Sequence, residues 1–164
     1  MKKLSCVAVN PQWSDENFLS FPLGLATIVS IIQSKGHDVR VFDFDAQRLD
    51  DIKKTEFLSR VDSNPDIVLL TGMITNYSRI KSLSKIARKI WPNTHIILGG
   101  SLATTAPDSV LKNIDADVFV LGEGDEKIVW LLDAIANRKS FKKVPGIKIK
   151  ENGLVYTWTE PLKL

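Results

Sequence analysis

Two short apolar runs in the middle of the chain each end at glycine. Residues 96–98 run into Gly99 and Gly100, and residues 118–121 run into Gly122, Glu123 and Gly124. A glycine at the end of a strand permits a positive φ or the close approach of a ligand to the backbone. One such glycine is typical of an ordinary tight turn into a helix. Several at one edge of a sheet indicate a bound flat or elongated ligand.

The elements that would position these glycines alternate five times between strand and helix. Helical spacing of apolar residues, as in Leu25, Ile28, Val29 and Ile32, marks the helices. The strands are short, continuous apolar runs, which is typical of parallel strands buried on both faces. The sequence therefore predicts an α/β fold, a flavodoxin-like (Rossmann-like) doubly wound sheet of five parallel strands in the order 2-1-3-4-5. We predict strands at 4–9, 39–42, 67–70, 96–98 and 118–121, and helices at 22–35, 50–61, around 80–90, after Pro107 and at 125–137.

In such a sheet, ligands bind beyond the carboxyl ends of the strands, where the strand order reverses. The loops that follow strands one, three, four and five meet at that edge. They carry glycine together with hydroxyl and amide side chains, which donate or accept hydrogen bonds. The candidate binding residues are Asn10, Thr71, Gly72, Met73, Thr75, Gly99, Gly100, Ser101, Gly122, Glu123 and Gly124.

The last part of the chain follows a different pattern. Two alternating runs flank residues 151–153, and Asn-Gly between such runs is the strongest short hairpin signal. We therefore divide the chain into a domain at 1–140 and a β-hairpin extension at 141–164. A lone hairpin is marginal in water, so it must pack on the domain or on a partner, and a homodimer through this segment is expected. Charges at Lys142, Lys143, Lys148 and Lys150 are expected to prevent indiscriminate edge pairing.

Composition excludes several classes of protein. The 164 residues are 44% hydrophobic and contain no apolar stretch long enough for a membrane span, and a net charge of +3 is too small to indicate nucleic-acid binding. The basic cluster at 79–89 has the spacing of a solvated helix face. One cysteine, Cys6, leaves no disulfide framework, and we expect a cytoplasmic protein. His37 and His95 fall at the amino edge of the sheet, so neither is expected to bind a metal or to act in catalysis.

Five blocks, in order, carry a resemblance that covers nearly the whole chain. The chain resembles the amino-terminal cobalamin-binding domain of cobalamin-dependent radical S-adenosylmethionine (SAM) enzymes. That family includes methyltransferases and the anaerobic magnesium-protoporphyrin monomethyl ester cyclase type, an oxidative cyclase. The blocks are FPLGLATIVSIIQSKGHDVRVFD (21–43), PDIVLLTGM (65–73), ILGGSLATTAPDSVL (97–111), ADVFVLGEGDE (116–126) and VPGIKIKENGLVYT (144–157).

The resemblance implies that cobalamin is the ligand. In the family the corrin lies over the carboxyl edge, and the nucleotide tail enters the crevice of the sheet. Gly99 and Gly100 would line the slot for the tail, and Thr71 and Met73 would match the element after the third strand. The turn at 122–125 would match the family's Gly-Glu-Gly-Glu element, with Asp125 in the fourth place.

Two motifs of related proteins are absent, and each absence excludes one function for this chain. Asp-x-His-x-x-Gly is missing, so no histidine of this chain is expected to ligate cobalt. Cys-x-x-x-Cys-x-x-Cys is also missing, so S-adenosylmethionine and the iron–sulfur cluster would belong to a barrel outside this chain. The resemblance therefore implies an excised module without catalysis of its own, from a parent methyltransferase or cyclase. In the family the hairpin at 144–157 leads into that radical SAM barrel.

Two other hypotheses remain at this point. The chain could be a degenerate scaffold or substrate-recognition domain, with Trp13 and Phe18 of the loop at 11–20 filling the slot. It could also be a standalone flavodoxin-like domain for another nucleotide. Under the cobalamin hypothesis we expect weak retention of the cofactor without the barrel. We also expect Gly100→Val to abolish binding, and the fold to survive if this residue only lines a cavity.

Overall fold

The predicted parallel sheet is present, and two further strands extend it. The computed structural model describes residues 2–12, 22–47, 49–61 and 64–157. Seven strands form one sheet in the order β2-β1-β3-β4-β5-β6-β7, which confirms the predicted order for the first five. The strands are β1 (Ser5–Asn10), β2 (Asp38–Asp43), β3 (Ile67–Thr71), β4 (His95–Gly99), β5 (Val118–Val120), β6 (Ile147–Glu151) and β7 (Leu154–Thr157).

In the described ranges, seven α-helices connect and cover these strands. Two of them, α2 and α5, were not predicted, because four or five residues are too short to show a helical period and, unlike α6, neither follows a proline. Within the described ranges, no helix has the length and apolarity needed to cross a membrane. The helices are α1 (Leu23–Ser34), α2 (Phe44–Gln47), α3 (Asp51–Ser59), α4 (Tyr77–Ile90), α5 (Ser101–Thr105), α6 (Asp108–Leu111) and α7 (Asp125–Ala136).

The core has two layers, one on each face of the sheet. Alternate residues of β1 enter opposite layers: Val7 and Val9 pack on one side, and Cys6 and Ala8 on the other. This is why the strands read as continuous apolar runs. Burial raises the pKa of the Cys6 thiol to about 12, with smaller contributions from nearby carboxylates, so the thiol stays protonated.

Helices α1 and α7 cover the same face of the sheet. Leu25 and Ile32 of α1 and Ile128 and Leu132 of α7 are buried in one cluster. The opposite cluster contains buried residues of the other five helices, among them Phe44, Leu58, Leu83, Leu102 and Leu111. The doubly wound arrangement therefore places α1 and α7 together, and this pair forms one wall of the candidate site.

The sequence did not decide whether the hairpin packs on the domain or on a partner. Strand β6 pairs antiparallel with β5, and β7 pairs with β6, so the hairpin completes the same sheet. Ile147 and Ile149 are buried beside β5. The hairpin thus packs on the domain, which was one of the two alternatives.

The hairpin lysines do not protect an edge strand, contrary to expectation. Lys148 and Lys150 lie on β6, which is an interior strand. Lys148 Nζ donates to Asp108 Oδ1 at 2.7 Å, and Lys150 Nζ donates to the carbonyl of Ile114 at 2.7 Å. They therefore attach the hairpin to the layer of α6. The edge strand itself is β7, Leu-Val-Tyr-Thr, which carries no charge.

At the amino edge, one carboxylate ties α4 to the sheet. Both carboxylate oxygens of Asp117 accept from Arg88 Nη2 at 2.7 Å, and Oδ2 also accepts from the backbone N–H of Ile96 at 2.7 Å. Arg88 also donates to the carbonyls of Pro92 and Thr94 at 3.0 and 2.9 Å. These bonds join α4, the start of β4 and the start of β5.

We expect Asp117→Asn to lower the free energy of unfolding by about 1–3 kcal/mol, because it weakens charge-assisted bonds in a half-buried site. Glu56→Gln is the matched control. It removes an exposed carboxylate whose pairing with Arg60 spans 2.6 Å, and it should cost no more than about 0.5 kcal/mol. Urea unfolding would measure both. Equal effects of the two substitutions would contradict this role for Asp117.

Candidate ligand-binding site

A cavity of about 390 Å³ opens at the carboxyl ends of β3, β4 and β5, on the face covered by α1 and α7. This volume lies within the range of about 300–1,000 Å³ that is usual for small-molecule sites. Its inner wall is aliphatic and is contributed by both helices and all three strands. The aliphatic residues are Leu25, Ile28, Leu69, Leu70, Ile97, Val120 and Ile128.

Seven of the eleven predicted site residues line this cavity. They form its outer part, together with Asp125, which the resemblance placed in the turn at 122–125, and with Thr104 and Thr105, which were not predicted. The outer part is therefore rich in hydroxyl groups and carboxylates above an aliphatic interior. The seven residues are Thr71, Gly99, Gly100, Ser101, Gly122, Glu123 and Gly124.

Backbone hydrogen bonds hold the loops after β3 and β4 together. The N–H of Gly72 donates to the carbonyl of Gly99 at 3.3 Å, and the N–H of Leu102 donates to the carbonyl of Gly72 at 2.9 Å. Gly100 lies between these bonds with φ of 84°. A Cβ there would lie 2.8 Å from the carbonyl oxygen of Gly72, so glycine is required by the backbone.

Gly99 has a different role from its neighbour. A Cβ added at Gly99 meets no atom within 4 Å, and its φ lies outside the left-handed region. The backbone of Gly99 therefore borders open space in the cavity, and a side chain at this position would project into it. Gly24, at the start of α1, also lines the cavity and has equally open surroundings.

One threonine connects the two glycine-bearing turns. Thr104 Oγ1 accepts from the N–H of Gly122 at 2.8 Å and donates to the carbonyl of Gly100 at 3.3 Å. The left-handed conformation of Gly122, with φ of 62°, presents its N–H to this hydroxyl. A side chain of α5 thus joins the turn after β4 to the turn after β5, and both turns border the mouth of the cavity.

Four predicted site residues lie outside the cavity lining. Asn10 is fully buried and donates to Asp43 Oδ1 at 2.9 Å, which ties β1 to β2. Gly72 allows α4 to pack closely against this loop, because a Cβ at residue 72 would lie 2.7 Å from Ile80 Cγ1. Met73 and Thr75 are exposed beside the lining. The cavity is therefore displaced from the reversal of strand order, between β1 and β3, toward β3, β4 and β5.

The contributions of α1 and α7 to the cavity were not predicted from the sequence. Gly24, Leu25 and Ile28 come from α1, and Ile128 comes from α7. The spacing of Leu25 and Ile28 identified a helix but did not place it at the site. The doubly wound topology, which places these two helices on one face, was the signal that could have assigned them to the site. The loop residues Trp13 and Phe18, which one hypothesis placed in the slot, lie outside the described residues.

Both histidines lie at the opposite edge of the sheet, as predicted. His37 is buried, and its Nδ1 accepts from the N–H of Leu4 at 3.1 Å. Burial, opposed in part by Asp117, holds the pKa of His95 below its usual value. Within the described parts of the chain, no group of three or more His, Cys, Asp or Glu side chains could hold a metal ion.

Comparison with known proteins shows which family shares these features. The family described as the B12 binding domain matches residues 17–132. An uncharacterised methyltransferase of Pyrococcus horikoshii is 31% identical over 135 residues, which cover 82% of this chain and 29% of the relative. The anaerobic magnesium-protoporphyrin IX monomethyl ester cyclase of Synechocystis sp. is 30% identical over 135 residues, covering 80% of this chain and 26% of the cyclase.

A solved structure shows the same fold. The radical S-adenosylmethionine methyltransferase TsrM of Kitasatospora setae, with cobalamin and an iron–sulfur cluster bound, superimposes with a TM-score of 0.83 at 16% identity. The match covers 98% of this chain and 30% of that one. The chain thus spans less than a third of the length of each of these three proteins.

Substitution by alanine should affect stability differently at the two adjacent glycines. Gly100→Ala should lower the free energy of unfolding by about 1–3 kcal/mol, because it combines a left-handed φ with a contact to backbone. Gly99→Ala should change it by no more than about 0.5 kcal/mol, because its Cβ would enter open space. Thermal unfolding of both variants would measure this. A similar loss at both positions would show that Gly99 does not border a cavity.

The same geometry corrects one expectation from the sequence. Gly100→Val was expected to abolish binding, and the fold was expected to survive if Gly100 only lined a cavity. A valine at this position would instead meet the backbone of Gly72, so loss of binding would not distinguish a blocked slot from a damaged loop. Gly99 is the better position for that test.

Proposed function

Because this chain belongs to the B12-binding domain family, we propose that its carboxyl-edge cavity receives the nucleotide tail of cobalamin, with the corrin over the strand ends. The observation that carries this proposal is the bare backbone of Gly99 beside an aliphatic cavity of about 390 Å³. A flat aromatic base is buried most favourably where the walls are aliphatic and a glycine allows close approach.

The polarity of the cavity fits the two parts of such a tail. The aliphatic interior would surround the base. The hydroxyls of Thr71, Ser101 and Thr105 at the outer part would hydrogen-bond to the sugar and phosphate. Glu123 and Asp125 would repel a phosphate, so the phosphate would lie on the side of the hydroxyl groups. The carboxylates would instead accept hydrogen bonds from the amide side chains of the corrin.

Cobalt would receive no imidazole from this chain. Both histidines of the sequence lie at the amino edge, across the sheet from the cavity. When bound, cobalamin supplies a cobalt centre that carries a methyl group or takes part in radical chemistry. The residues of this chain bind and orient it, and they leave the outer face of the corrin free for another domain.

The whole protein is proposed to be a cobalamin-dependent radical SAM methyltransferase or cyclase. The relatives named above, a methyltransferase and a cyclase, support this class. In such an enzyme this chain would form the amino-terminal part. S-adenosylmethionine and an iron–sulfur cluster would bind to a barrel reached through the segment at 141–164. Substrate specificity would reside there, and the enzyme would act in the cytoplasm.

A binding experiment with hydroxocobalamin tests the site. We expect equilibrium titration to detect binding, and desalting to remove most of the cofactor, because the corrin's outer face is uncovered. Gly99→Leu should weaken binding at least about tenfold by filling the cavity. The control is Ala26→Leu, which adds a leucine on the exposed face of α1 and should bind like the parent.

Three outcomes would contradict the proposed mode of cobalamin binding. Equal binding by Gly99→Leu and the parent would show that the tail lies elsewhere. Tight retention through desalting, with the spectrum of histidine-ligated cobalt, would contradict the assigned coordination. Absence of binding by the parent would favour the alternative hypothesis, a degenerate scaffold or recognition domain of the same fold.

A homodimer through the hairpin is the second part of the proposal. Strand β7 forms one edge of the sheet, and no charge, proline or glycine lies within it. The opposite edge, β2, contains Asp38, Arg40 and Asp43. Charged edges resist pairing with another chain, so β7 is the edge suited to antiparallel pairing with a second copy.

Leu154 provides the test, since it is 70% exposed on this edge strand. Leu154→Lys should convert the dimer to a monomer in light scattering, because a charged side chain on the edge strand opposes its pairing with another strand. Ile52→Lys is the control, at a residue 81% exposed on α3, and it should leave the mass unchanged. A parent that is monomeric at high concentration, or a dimer that survives Leu154→Lys, would contradict the proposal. Deleting residues 144–164 is a poorer test, because it also removes Ile147 and Ile149 from the core.

A further inference from the structure

A second cavity lies at the amino edge of the sheet, opposite the proposed cobalamin site. It measures about 350 Å³ and lies between the end of α7, the start of β4 and the end of β6. An adjoining cavity of about 300 Å³ shares His95, Ile135 and Arg138 with it. Arg138 and His95 therefore border both spaces.

Arg138 has an unusual backbone conformation. Its φ is 54°, in the left-handed region, where it follows the last turn of α7. The N–H of Arg138 donates to the carbonyl of Ile135 at 3.2 Å, and the N–H of Lys139 donates to the carbonyl of Ala134 at 2.8 Å. This is the Schellman helix ending, and its left-handed position is normally glycine or asparagine. An arginine held there at a conformational cost points to a role for its side chain.

The charges around the cavity leave this arginine uncompensated. Lys139 Nζ lies 2.9 Å from Asp133 Oδ2, and Lys142 Nζ lies 3.5 Å from Glu151 Oε2. Within the part of the chain that the structure describes, Arg138 has neither a hydrogen bond nor an ion pair through its guanidinium. The cavity lining thus contains three cations and one carboxylate, Glu151.

The rest of the lining is apolar and aromatic. The rings of His95 and Phe141 meet edge to face, with centroids 5.1 Å apart and planes at 87°. Ile135 and Ile149 complete the apolar wall. A guanidinium beside such a wall matches a small molecule that has a flat apolar body and a terminal oxyanion.

We propose that the amino-edge cavity is a second binding site, for a small aromatic or heterocyclic phosphate or carboxylate, with Arg138 as the group that pairs with the oxyanion. The site is independent of the cobalamin proposal, because the two cavities lie at opposite edges of the sheet and share no lining residue.

Phenyl phosphate is the probe, followed by amide chemical shifts of the whole chain. We expect saturable shifts at residues 138–141 and at His95, with a dissociation constant below about 10 mM. Inorganic phosphate and benzyl alcohol each lack one half of the ligand and should bind at least about tenfold more weakly. Added hydroxocobalamin should leave these shifts unchanged.

Two substitutions at Arg138 separate function from structure. Arg138→Asn keeps a residue suited to the left-handed region and should weaken phenyl phosphate binding at least about tenfold. Arg138→Gly should also lose binding, while it raises the midpoint of thermal unfolding by roughly 2–4 °C because the backbone strain is relieved.

Each contrary result would overturn the proposal. Absence of saturable shifts would show that no such ligand binds. Shifts of equal strength with inorganic phosphate would indicate an adventitious ion only. Unchanged binding by Arg138→Asn would show that another group recognises the anion. A lower unfolding midpoint for Arg138→Gly would show that the arginine is present for stability.

Discussion

The parallel register of β3 and β4 is the constraint on which the carboxyl-edge site depends. Thr71 pairs with Gly99, so the two strands end at the same level and their loops run side by side. The backbone groups of those loops then bond to each other, and this bonding forces Gly100 into the left-handed region. Helix α5 begins at the next residue. Its Thr104 side chain accepts a hydrogen bond from the N–H of Gly122, which fixes the position of the turn after β5. The cavity mouth is therefore set by backbone pairing more than by side-chain packing.

The two edges of the sheet have contrasting chemistry. The carboxyl edge has an aliphatic cavity with hydroxyl groups, whereas ion pairs and both imidazoles lie at the amino edge. At the amino edge Asp66 accepts from Lys2 at 2.5 Å and from the N–H of Ser5 at 2.9 Å. Although partial burial opposes it, hydrogen bonding by Lys2 and Ser5 holds the pKa of Asp66 below its usual value. Carboxylates that accept from backbone N–H groups near the starts of β1 and β4 therefore stabilise this edge of the sheet.

Much of the fold could be predicted from the sequence, because each long element carries its own period. The apolar runs of the five parallel strands and the spacing in α1, α4 and α7 identified their type and order. The site was predictable only in part. Glycine at a strand end signals an unusual backbone but does not reveal its cause, and the cause differs between Gly99, which borders open space, and Gly100, which avoids the carbonyl of Gly72. The aliphatic wall that α1 and α7 contribute to the cavity could not be predicted either, because Leu25 and Ile128 have the same spacing whether they fill a core or line a cavity.

The hairpin determines where the chain goes after the parallel sheet. Helix α7 returns the chain to the amino edge, where Phe141 contacts His95. Strand β6 runs against β5, and β7 runs against β6, so β7 has the same direction as the parallel strands. The chain therefore leaves β7 heading toward the carboxyl edge, the edge at which the cavity opens. A hairpin of two strands is the shortest way to make this reversal while it also covers the β5 edge with Ile147 and Ile149. A domain joined at this point would start on the side of the sheet where the corrin is proposed to lie, without a long linker. The same pair of strands thus covers β5 and directs the chain toward the carboxyl edge.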